Sequence, residues 1–117
     1  MKLKFENCRV HLIVTPTDLR SGAARLAGIA LEKLNIDIFK GEDIVVFVSK
    51  SRAISKTIFA DEKGSTMVTR TLHIGKFEQM LVKRNECGKV NLTITELEMF
   101  LNGEKIFEKR KNFYPSK

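Results

Sequence analysis

Two charged residues two positions apart, Asp18 and Arg20, stand in the stretch Thr15-Pro16-Thr17-Asp18-Leu19-Arg20-Ser21-Gly22. A carboxylate and a guanidinium at this spacing suit anion binding, ion pairing or general acid–base work. A helix start accounts for most of the stretch. Thr15 can accept from a first-turn N–H, Pro16 gives up an N–H that has no helical partner, and Asp18 sits at the positive end of the helix dipole. Arg20 serves none of these needs. It either pairs with Asp18 or a sheet carboxylate, or it is free to bind something else. Asp18 with Arg20 as a cryptic catalytic pair is the weakest of these readings, because the cap already explains Asp18.

Other reactive constellations are missing. His11 and His73 lie far apart with no carboxylate at metal spacing. Neither Gly22 to Gly28 nor the later glycines fit a phosphate-binding loop, and no nucleophile elbow is present. Two-metal nucleases need convergent carboxylates, and Asp18, Asp37, Asp43 and Asp61 are scattered. The chain is therefore expected to be no enzyme and to hold no cofactor or metal. Cys8 and Cys87 are expected to be ordinary thiols.

Charge is more informative. The 117 residues carry 21 Lys and Arg against 14 Asp and Glu, a net +7 that favours a polyanion or an acidic protein surface as partner. Residues 49 to 60 hold Lys50, Arg52 and Lys56 and no acid. No apolar run of about 18 residues is available to span a bilayer, and no signal-peptide core follows Met1. A cytoplasmic protein without a membrane partner is the expectation.

The elements that must position these residues read as one α+β domain, as 43% hydrophobic residues allow. Residues 9–14 alternate as a strand. A helix is expected over 16–34, with Leu19, Ala23, Leu26, Ala30 and Leu34 on its apolar stripe and small residues, Gly22 to Gly28, packed closely on a sheet. Ile36, Ile38 and Phe39 should tuck under the connection that follows. The run Ile44 to Val48 should be buried on both faces. With the strands 54–60 and 66–73 it forms a three-strand antiparallel meander over 44–73, turning at 49–52 and 61–64.

Phe77 to Val82 fits a helical turn or a strand, and residues 85–88 break it. A short strand over 89–94 precedes a helix over 95–102, opened by a Thr95–Glu98 capping box and closed by Asn102-Gly103. The expected architecture is an antiparallel sheet of four to five strands with these two helices, in a domain spanning 1–103. Residues 104–117 form a basic tail with Phe107, Phe113 and Tyr114 interleaved. It suits either a loosely ordered terminus or a grip on single-stranded nucleic acid.

The order of landmarks resembles the small accessory protein of insertion-sequence-66-type transposons, the TnpB-type product of their second reading frame. Pro16 and Asp18-Leu19-Arg20-Ser21-Gly22 match that family's first block. Val46-Phe47-Val48-Ser49-Lys50-Ser51-Arg52 and Lys56 to Asp61 with Gly64 follow. Arg70-Thr71-Leu72-His73-Ile74-Gly75-Lys76-Phe77 matches the next, and Leu92-Thr93, Glu96-Leu97 and Leu101-Asn102-Gly103 close the series. Phe59 and Ala60 stand where the family has tryptophans; Thr71 replaces a basic residue and His73 an acidic one. The resemblance implies a protein needed by, or encoded beside, a transposase, with no established catalysis of its own.

Two functions follow as expectations. In the first, Arg20, Lys50, Arg52, Lys56, Arg70 and Lys76 form one basic surface that binds nucleic acid, DNA foremost. In the second, Arg20 and the small-residue helix dock on the transposase without contacting DNA.

Overall fold

In the computed structural model the described residues are 8–20, 22–79 and 88–107. The Met1 to Asn7 segment, Ser21, the end of the ambiguous Phe77–Val82 stretch, Cys87 and the tail from residue 108 lie outside them.

Five strands form a single sheet. They are β1 (Arg9–Ile13), β2 (Asp43–Val48), β3 (Ile54–Asp61), β4 (Gly64–Thr71) and β5 (Lys89–Leu92), in the spatial order β4-β3-β2-β1-β5. Every pairing is antiparallel except β1 with β2, which run parallel with Val10 opposite Ile44 and Leu12 opposite Val46. Parallel neighbours need a crossover. Helix α1 (Ala23–Leu34) and a short 3-10 turn at Ile38–Lys40 supply it.

Alternation along the strands sorts the apolar residues into two layers. Val10, Leu12, Ile44, Val46, Phe59 and Leu92 pack with Phe77, Phe100 and Ile106 on one face. Ile13, Val45, Phe47, Ile58 and Ala60 pack with Leu26, Ala27 and Ala30 of α1 on the other. The central strand β2 is buried along its whole length, as its unbroken apolar run predicts. Helix α2 (Ile94–Leu101) covers the first face through Leu97 and Phe100. Phe77 stacks on Phe100, with ring centroids 5.2 Å apart. The core continues past Gly103, because Ile106 is buried among the same residues.

Several local expectations are corrected. The helix starts at Ala23, not 16, and its N-cap Gly22 offers no side-chain oxygen. Thr15, Pro16 and Asp18 cap nothing. The chain needs those residues to travel from the end of β1 to α1, and Thr17 N–H donates to Val48 O at 2.8 Å on the way. Leu19 is buried, yet it precedes the helix. Gly22 and Gly28 have open space where a Cβ would sit, so the closely packed small residues are Ala27 and Ala30. Phe39 points outward, while Ile36 and Ile38 are buried. The capping box of α2 is Thr93 with Glu96, two residues before the expected Thr95–Glu98 pair of identical spacing.

Candidate nucleic-acid interface

The six basic candidates all lie toward one end of the sheet, where β1, β2 and β4 finish and β3 begins. Their side chains do not form one patch. The two-residue turn between β3 and β4 sets Arg70 opposite Ser55 and Lys56 opposite Thr69. Successive residues on a strand face opposite ways, so Lys56 projects toward α1 and Arg70 toward α2. Each also has a structural task. Lys56 Nζ donates to the Leu19 carbonyl, tying β3 to the 15–20 segment. Arg70 Nε donates to Leu101 O at 3.0 Å, satisfying a carbonyl at the end of α2.

Arg20 is held locally. Its backbone N–H donates to Asp18 Oδ1 at 3.0 Å, its Nε to the same oxygen at 3.0 Å, and its Nη2 to Oδ2 at 2.7 Å. The guanidinium is 91% exposed, so the pair lies at the surface. Hydrogen bonds from Arg20 hold the Asp18 carboxyl well below the usual carboxylate range, and the positive charge of Lys50 adds to the effect.

Lys50, Arg52 and Lys76 form the remaining group. A tight turn joins Ser49 to Arg52, closed by Arg52 N–H donating to Ser49 O at 3.0 Å. Arg52 sits at φ 62°, a left-handed conformation that few non-glycine residues adopt. The 72–77 loop crosses this turn. Leu72 N–H donates to Ala53 O at 2.8 Å, and Phe77 N–H donates to Arg52 O at 2.7 Å. Lys50 and Lys76 are exposed and Arg52 is half-buried. Among the described residues none of the three forms a salt bridge.

A second polar cluster centres on the buried side chains of His11 and Asp43. His11 Nε2 lies 2.7 Å from Asp43 Oδ1, while Nδ1 faces Asn91 Nδ2 at 3.0 Å and Lys89 Nζ at 3.2 Å. An ammonium can only donate, so Nδ1 is the acceptor and Nε2 carries the proton to Asp43. Burial pushes the His11 pKa down, against the pull of Asp43. Arg9 binds the same carboxylate, with Nε at 3.0 Å from Oδ1. His11 is visible in the sequence; its partners are not, because they come from two other strands, β2 and β5, far from it in the chain. Among the described residues no cluster of three or more His, Cys, Asp or Glu could hold a metal, and no helix is long and apolar enough to cross a membrane.

A small mixed α+β domain with a cationic sheet end and no assembled catalytic constellation among its described residues is the class these features define. Residues 8–111 match the family described as IS66 Orf2 like protein, and the chain belongs to that family. It is thus a transposition-associated accessory protein of the insertion-sequence kind. It is 30% identical over 98 residues to the uncharacterized protein y4hO of Sinorhizobium fredii, covering 84% of this chain and 82% of that one. No solved structure matches.

Proposed function

We propose that this chain is a non-catalytic accessory of transposition that binds DNA with the sheet end carrying Lys50, Arg52 and Lys76. The observation supporting this is the abutment of two turns, 49–52 and 72–77, that present three cations, none of them in a salt bridge among the described residues. Cations gathered at one sheet end can pair with the phosphates of a nucleic acid and release its counterions, which supplies most of non-specific affinity. Arg20 borders the group. Asp18 engages its Nε and Nη2, which fixes the plane of the guanidinium and leaves Nη1 for a phosphate oxygen. Lys56 and Arg70 serve the fold in this reading. Fluorescence anisotropy with a labelled duplex should show binding at low salt that collapses as salt rises. No binding at low salt defeats the proposal.

The Asp18–Arg20 pair also favours a second reading. A surface ion pair of zero net charge suits a protein partner better than a polyanion, and the transposase is the partner that the family membership suggests. Co-purification with the transposase from nuclease-treated lysate supports this adaptor role, and loss of capture after nuclease treatment sinks it.

A further inference from the structure

Resting on the DNA-binding reading above, we propose that Ile74 is a wedge that inserts between base pairs of the bound duplex and kinks it. Four large apolar side chains are exposed among the described residues: Leu31, Val68, Phe39 and Ile74. The first three lie on α1, β4 and the 3-10 turn and keep part of their surface covered. Ile74 is 92% exposed. It belongs to the loop that crosses the Ser49–Arg52 turn, so it shares the sheet end with Lys50, Arg52 and Lys76.

The loop is short and fixed at both ends. Leu72 and Phe77 N–H groups donate to the carbonyls of Ala53 and Arg52. Phe77 is fully buried against Phe100. Four residues, His73 to Lys76, bridge those anchors, with Gly75 at φ 79° making the reversal. A β-branched side chain has little χ1 freedom of its own. Insertion therefore orders little that is not ordered already. Gly75 has nothing within 4 Å of where a Cβ would lie, so the backbone beside Ile74 is slim enough to enter a groove.

An isolated exposed apolar residue needs no explanation on most surfaces. Here it stands two residues from Lys76, on a loop anchored at both ends to the turn that carries Lys50 and Arg52, an arrangement like that in which minor-groove proteins use Ile, Leu, Phe or Met to unstack a base step. An aliphatic side chain offers no platform for stacking single-stranded bases, which is the work of aromatics. The occupant is thus duplex DNA, and flexible TA or CA/TG steps are the favoured points of entry.

The test uses the full chain and a duplex of about 20 base pairs with one central TA step. End labels report bending by energy transfer, and 2-aminopurine beside the step reports unstacking. The native protein should raise both signals. Ile74→Ala should bind about tenfold more weakly, keep the same salt slope and give neither signal, while Ile74→Leu should restore both. The melting temperature of Ile74→Ala should match the native value, since the side chain touches almost nothing.

Equal bending by native protein and Ile74→Ala overturns the wedge. Native binding without bending overturns it too and leaves the DNA-binding reading intact, whereas no duplex binding at low salt removes both. If Ile74→Ala bends DNA normally but fails to capture the transposase, the residue is a protein contact and the wedge is wrong.

Discussion

Asp18 and Arg20 close on each other across a single intervening residue, the Arg20 Nη2 lying 2.7 Å from Asp18 Oδ2 while the Arg20 backbone N–H binds Oδ1. Side chain and main chain of one residue thus bind the same carboxylate, an Asx-type turn reinforced by an ion pair. The carboxyl is held well below its usual range by these bonds. In a carbon-detected pH titration, Asp18 should show no midpoint between about pH 5 and 3, where ordinary aspartates titrate. Asp18→Asn should accelerate exchange of the Arg20 Nε proton. A midpoint near about 4 for Asp18 contradicts the pairing.

Two threonines that look alike in sequence should behave differently. Thr93 Oγ1 accepts from Glu96 N–H at 3.0 Å, and Glu96 Oε1 accepts from Thr93 N–H at 3.0 Å. Thr93→Ala should cost about 0.5–2 kcal/mol in urea denaturation. Thr15 is exposed and caps no helix, so Thr15→Ala should stay within about 0.5 kcal/mol of native.

The His11 cluster should make stability depend on mildly acidic pH. The folded-state pKa of His11 lies below its ordinary value of 6.5. The unfolded chain therefore binds the extra proton first as pH falls. The stability contribution is complete above about pH 6.5 and is lost as pH drops through the folded-state value. The urea midpoint should fall between about pH 7 and 5.5, and His11→Gln should flatten that dependence. An equal slope in the variant contradicts the assignment.

Much of the fold is legible in residue order. The strand beginning at Arg9, the buried run of β2, the meander and Asn102-Gly103 at the end of α2 all have local causes in alternation, apolar continuity and turn chemistry. The parallel pairing of β1 with β2 has no local signature, because it depends on where the α1 crossover delivers the chain. The start of α1 misleads for a related reason. Thr15, Pro16 and Asp18 satisfy a capping pattern, but a cap needs a helix immediately behind it, and those residues instead span the gap past the end of β2.

The candidate site is legible in part. Lys50, Arg52 and Lys76 stand out as unopposed charge near turns. The separation of Lys56 from Arg70 is recoverable from the two-residue turn at Glu62-Lys63, which fixes their register. The crossing of the 72–77 loop over the 49–52 turn is not, since it rests on two main-chain hydrogen bonds between residues of unrelated pattern.

The central claim, that Lys50, Arg52 and Lys76 meet DNA phosphates, is tested most directly by the salt dependence of binding. The comparison sets native protein against a Lys50→Gln, Arg52→Asn, Lys76→Gln triple variant; asparagine tolerates the positive φ at position 52. A plot of log affinity against log salt should be steep for native protein and shallower in the variant by up to about 2.7, roughly 0.9 for each phosphate that the variant leaves unneutralised. Identical slopes, or no native binding at low salt, would contradict it.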